Sequence, residues 1–323
     1  MNKIVSTTAD HVSPLNINGL EGRVLRLTAP KNRKREILLL YGSHSSQERM
    51  FGLAEAINKY GAVTMPDWPG FGGMDSLYKI GKKPDVDTMA DYLASFVKMR
   101  YKRRRFTIIG MSYGFIIATR MLQRYPEIAK NVEFIVSIVG FVHKDDFRIN
   151  RRDFFLMKLG ARILHYRLPC YVAMALIRGP TIRATYNLVA DGHAKMKDAD
   201  NAERQRRIEF EIVLWKCNDL RTYFYTSHTM FHLDLCDMQT TVPVYHIAVA
   251  NDQYLDNKVV EQHLAIIYPE VNVIPVRIDA HMPTIVADAK DVAPFIPAKL
   301  RRILAKAPRW YTCEDENRNS LPV

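Results

Sequence analysis

Ser112 stands between two glycines, in Gly110-Met111-Ser112-Tyr113-Gly114, where one apolar run ends and another begins. A serine hydroxyl is a weak nucleophile until a base takes its proton and a third group orients that base. The chain holds ten histidines and 34 acidic residues, so residue type alone does not choose the partners. Position offers candidates, since open α/β sheets place their sites just past the carboxyl ends of strands. Asp252 comes just after the run Val244-Tyr245-His246-Ile247-Ala248-Val249-Ala250, and His281 just after Val271-Asn272-Val273-Ile274-Pro275-Val276. In the order Ser112, Asp252, His281, each residue follows a strand-like run. The chemistry such a set performs is attack on an acyl carbon, with proton transfer through the imidazole and release of the acyl group by water.

The elements that must position these residues read as strands alternating with helices. Residues 15–28 form a hairpin turning at Asn18-Gly19, and 37–41, 62–65, 106–109 and 132–139 are strands. Residues 50–60, 87–100 and 114–125 carry helical periodicity. This alternation predicts a mostly parallel α/β sheet with helices on both faces. It stops at 143 and resumes at 242, with strands at 242–250 and 271–276, a helix near 257–267 and a last helix near 284–306. Residues 143–241 show no clear strand and read as helical. The expected organisation is a core built from 1–142 and 242–308, a helical cap over 143–241, and a polar tail at 309–323.

With a strand before it and a helix after it, the Gly110–Gly114 segment resembles the nucleophile elbow of the α/β-hydrolase family. The resemblance covers most of the chain at the level of fold. It implies an eight-stranded sheet and a triad of Ser112, His281 and Asp252. Asp67-Trp68-Pro69-Gly70-Phe71-Gly72 resembles the family's loop after the fourth strand, and Leu40-Tyr41-Gly42-Ser43 its oxyanion loop. The family usually has His-Gly there; this chain has Tyr41-Gly42, with His44 displaced along the loop. The resemblance implies an oxyanion hole made by the backbone N–H groups of Ser43 and Tyr113. Other acids compete with Asp252: Asp256 is four residues on, and Asp145 and Asp146 follow strand 132–139. Asp279 is too close to His281 to reach around to its ring, and Asp67 reads as a structural residue of its loop. His246 falls mid-strand, His263 mid-helix, and His228 and His232 in the cap. A serine rather than an aspartate at the elbow argues against the family's dehalogenase and epoxide hydrolase branches.

The formal net charge is +12, and it is uneven: +9 over 1–142, +4 over 143–241 and −1 over 242–323. The runs 31–35 and 98–105 carry much of it. Each immediately precedes a strand, so both belong at the amino ends of the strands, away from the site. There they serve as a solvated face or contact an anionic surface. No specific nucleic-acid motif accompanies them. The four cysteines lack metal-ligand or paired spacing, no dinucleotide or phosphate loop is present, and no cofactor or metal is expected. The N-terminus lacks a signal-peptide core and no apolar run is long enough to span a membrane, which leads to a cytoplasmic expectation. The expected substrate is a small acyl ester or related apolar molecule. Thioester or carbon–carbon cleavage, acyl transfer, a non-catalytic ligand-binding homologue and a scaffold acting through its basic face stay open.

Overall fold

The computed structural model describes residues 8–177, 179–189, 201–250, 252–277 and 292–308. Strands β1 (Val12–Ile17) and β2 (Leu20–Leu27) form a hairpin. Its turn residues Asn18 and Gly19 both adopt positive φ, 53° and 79°, the geometry a two-residue hairpin turn demands. Six further strands follow: β3 (Arg35–Leu40), β4 (Gly61–Pro66), β5 (Phe106–Met111), β6 (Val132–Ile138), β7 (Val244–Val249) and β8 (Val271–Val276). They assemble one sheet in the order β1-β2-β4-β3-β5-β6-β7-β8. The first two strands run antiparallel, and β3 to β8 are mutually parallel. All six residues of β5 are buried. Successive side chains of a strand point to opposite faces, so the centre of the sheet is covered on both.

The covering helices are α1 (Gln47–Asn58), α2 (Val86–Tyr101), α3 (Tyr113–Arg124), the single turn α4 (Pro126–Ala129), and, after the insertion described next, α10 (Asn257–Ile267) and α11 (Ala298–Ala305). Short polar residues start several of them: the Asp85 carboxylate accepts from the Thr88 N–H (2.7 Å) ahead of α2, and Asp256 caps α10 through the Lys258 and Val259 N–H groups.

Between β6 and β7 the described residues form five α-helices: α5 (Arg151–Leu164), α6 (Arg167–Leu176), α7 (Gly179–Val189), α8 (Asn201–Cys217) and α9 (Leu220–Met230). Ile182, Ile208 and Ile212 form a small core of their own between α7 and α8. The turn from α8 to α9 is bound to the loop after β4: Asp219 N–H donates to Gly70 O (2.8 Å), Gly72 N–H to Asn218 Oδ1 (2.8 Å), and the Ser76 and Thr222 hydroxyls share a hydrogen bond (2.9 Å).

Two local expectations change. Within the described part of the helix expected at 284–306, Pro294 and Pro297 divide the chain into a 3-10 turn (293–295) and α11, because proline lacks the N–H that helix continuation needs. In the basic run 31–35, Arg35 is buried rather than solvated. Its guanidinium is paired with Glu133, reaches Thr107 Oγ1 (2.8 Å), and donates to the carbonyls of Leu304 and Lys306. Lys98 and Arg100 of the second run are likewise paired, with Glu127 and Glu36. β3 and β5 are neighbours, so both runs do share one end of the sheet.

Candidate active site

β5 is wholly buried, and the chain must reverse sharply at its end to start α3. Ser112 makes that turn at φ 46°, ψ −116°, a conformation rarely adopted by non-glycine residues and one found where a site stores strain. Its N–H donates to Ile138 O at the end of β6 (3.0 Å), and its carbonyl accepts from Phe115 N–H (2.9 Å). The flanking glycines are steric requirements. A Cβ on Gly110 would meet Phe115 Cα at 2.7 Å; one on Gly114 would meet the carbonyl oxygens of Leu40 and Tyr41 at 2.6 and 2.7 Å. The start of α3 is therefore seated directly on the loop that leaves β3.

Two backbone segments with N–H donors leave the sheet at this end. Tyr113 is the first residue of α3, and the N–H groups of a helix's first turn have no intrahelical acceptor. Leu40 pairs in register with Gly110, so Ser43, three residues beyond Leu40, emerges at the same end of the sheet as Ser112. The Tyr113 side chain is fully buried, edge-on to Trp68 with centroids 6.1 Å apart, and burial pushes its phenol far above the usual range.

Tyr41 occupies the position where the family usually has histidine, and its contacts are visible. Its hydroxyl donates to Asp67 Oδ1 (2.9 Å) and accepts from Trp68 N–H (3.0 Å), while its carbonyl accepts from Trp68 Nε1 (2.9 Å). Asp67 also receives Arg23 Nε (2.9 Å). Burial pushes the Asp67 carboxyl up to about 7 against the pull of Arg23 and Tyr41. These contacts tie β2, the loop after β3 and the loop after β4 into one network, in keeping with a structural role for Asp67.

Asp252 is buried just beyond β7. Its Oδ1 accepts from the N–H groups of Tyr254 (2.8 Å) and Leu255 (3.1 Å), which hold the carboxylate in one orientation. In the sheet one strand, β6, separates β5 from β7, so Ser112 and Asp252 follow strands that end along the same edge. The competing acids stand in other surroundings. Asp256 is the cap of α10. Asp146 accepts from the N–H groups of Val142 (2.8 Å) and His143 (2.9 Å) and contacts His263 Nδ1 at 2.5 Å. Asp145 is exposed. His246, next along β7, is buried with Nδ1 2.9 Å from Ser137 Oγ, and burial lowers its pKa to about 4, keeping it neutral. His281 and Asp279 lie outside the described residues.

Sequence reasoning missed the surroundings of His44. Its ring lies 4.3 Å from that of Trp215 and 5.0 Å from that of Tyr223, and its Nδ1 is 3.2 Å from Asn218 Nδ2. Trp215 also lines an apolar cavity of about 420 Å³ with Leu176, Ile177, Ile182 and Tyr186. These partners stand more than 170 residues from His44 along the chain, and no local pattern announces them. Among the described residues, no three His, Cys, Asp or Glu side chains converge as a metal site, and no helix is long and apolar enough to cross a membrane.

Comparison with known proteins agrees with this architecture. A family model described as the alpha/beta hydrolase fold matches residues 39–262. Among solved structures, an N-formylmaleamic acid deformylase from Pseudomonas putida is 16% identical at a TM-score of 0.58, covering 84% of this chain and 94% of its own. A hydrolase from Oleispira antarctica is 16% identical at 0.60, covering 87% and 93%. An esterase from Exiguobacterium antarcticum is 15% identical at 0.59, covering 80% and 88%. At such identities the likeness is one of fold. No curated protein matches the chain in sequence.

Proposed function

The chain belongs to the α/β-hydrolase family, and from that membership we propose that it hydrolyses a carboxylic ester-type bond of an apolar acyl or aromatic substrate, without a cofactor. The observation that carries this reading is the strained elbow at Ser112, seated on the loop after β3, with the buried and backbone-held Asp252 along the same edge of the sheet.

In this reading Ser112 Oγ attacks the acyl carbon while His281 takes its proton. Asp252 orients the imidazole and stabilises its charged form. The developing oxyanion is held by the Tyr113 and Ser43 N–H groups, helped by the amino end of α3. The carbonyl re-forms as the bond to the leaving group breaks, and His281 returns the proton to that group. Water, deprotonated by His281, then releases the acyl group from Ser112. Residues 143–241 act as a cap over this edge. The apolar cavity beside Trp215, together with the contact of Trp215 with His44, supports an apolar substrate.

The test is labelling by a fluorophosphonate, which reacts readily with an activated serine. The wild type should label, and Ser112→Ala and His281→Ala should not. A folded wild type that resists labelling would overturn the reading and favour a ligand-binding homologue. A panel of short- and long-chain acyl esters and thioesters then separates the bond types.

A further inference from the structure

The outward faces of α5 and α6 are apolar where solvent-facing helices are ordinarily polar. On α5, Phe155, Leu159 and Ile163 recur at four-residue spacing with Leu156 beside them, all exposed, Phe155 by 62%. On α6, Leu168 is 75% exposed and Tyr171 follows one turn on. These residues are not the helices' core contacts. The inward side of α5 carries Phe154, whose ring packs on Phe231 at 5.3 Å, and the buried Ala161; that of α6 carries the buried Cys170. A contiguous exposed apolar patch of this kind marks a surface that is covered in use.

Its charges say by what. Arg151, Arg152 and Arg162 are exposed beside the apolar stripe of α5, and Arg167 opens α6. With Lys158 they make five basic residues across 150–177 against one acidic residue, Asp153, for a net charge of +4. Asp153 is already held by Asn150 Nδ2 (2.7 Å) and lies 3.5 Å from Arg152.

We propose that the α5–α6 hairpin docks on an anionic lipid surface, with its apolar side chains below the headgroups and its arginines among them. Mixed apolar and basic side chains on one helical surface suit that interface. A second copy of the chain fits less well, because a two-fold contact would set one positive hairpin against another. The basic runs at the opposite end of the sheet offer charge with little apolar surface: of the large exposed apolar residues, only Met99 belongs to them. Lipid binding is measured without turnover, so this proposal stands apart from the hydrolase reading.

The experiment is flotation of the full chain with phosphatidylcholine vesicles, with and without phosphatidylglycerol, at low and high salt. The wild type should float with the anionic vesicles and bind less well in high salt. Phe155→Ser/Leu168→Ser and Arg152→Glu/Arg162→Glu/Arg167→Glu should each weaken that binding by roughly tenfold or more. Leu159→Ser/Tyr171→Ser repeats the apolar test at independent exposed sites, and all variants are compared at equal helical circular dichroism. Lys102→Glu/Arg103→Glu/Arg104→Glu should bind as the wild type does. The proposal is overturned if the wild type ignores anionic vesicles, or if only the variant of the 98–105 run loses binding. It is equally overturned if the chain is a dimer that Phe155→Ser/Leu168→Ser dissociates while no vesicle is bound, which would assign the hairpin to a second copy.

Discussion

Arg49 of α1 and Glu211 of α8 form an ion pair, Nη2 to Oε1 at 2.5 Å, with both side chains buried. The guanidinium also lies over the Phe210 ring, 5.4 Å from its centroid. This pair joins the first helix of the sheet domain to the helices inserted between β6 and β7, two turns of chain from Asn218 and its bond to Gly72. Breaking one partner leaves the other charged and out of water, so Glu211→Ala should cost about 3–5 kcal/mol in chemical denaturation. Replacing both residues by apolar side chains of similar volume should cost much less.

The seating of α3 on the loop after β3 allows no side chain at Gly114. Gly114→Ala would press a methyl group onto the Leu40 and Tyr41 carbonyls. Stability should fall by roughly 1–3 kcal/mol, read from the denaturation midpoint. Fluorophosphonate labelling should slow as well, because the displaced helix start carries Tyr113, a donor of the proposed oxyanion hole.

Asp252 and Asp256 are four residues apart and are expected to separate cleanly by function. Asp252→Asn should lower the labelling rate roughly a thousandfold or more, as loss of the group that orients the base does in serine enzymes. Asp256→Ala should label like the wild type and lose only about 1 kcal/mol, the cost of a helix cap. Equal effects on labelling would count against the proposed role of Asp252.

His246 makes the fold sensitive to acid. Burial lowers its pKa to about 4 in the folded chain, while the unfolded chain has the ordinary value of 6.5. The folded state thus binds fewer protons between those values. This residue's contribution is complete above pH 6.5 and is lost as pH falls toward 4, at up to ~1.4 kcal/mol per pH unit. His246→Asn, which keeps an acceptor near Ser137, should flatten that decline when denaturation is followed across the window.

Much of this protein is readable from its order of residues alone. Strand and helix periodicity are local properties, so the alternation around Ser112, its interruption near 143 and its return near 242 were visible in the chain. So was the elbow, because a turn that needs two glycines and a positive-φ serine writes all its requirements into five consecutive residues. Other features depended on residues that only folding brings together. Arg35 reads as one more charge in a basic run, and it is buried because Glu133, Thr107 and the end of α11 converge on it. Tyr41 reads as a departure from pattern, and Asp67, 26 residues away, gives its hydroxyl a partner. Glu211 reads as a helix-surface acid until Arg49, 162 residues away, is set against it. Periodicity and turn chemistry act over a few residues, and so they determined which elements form. The pairing of buried charges and the outward display of the α5–α6 apolar face depend on which elements meet, and only the tertiary structure decided that.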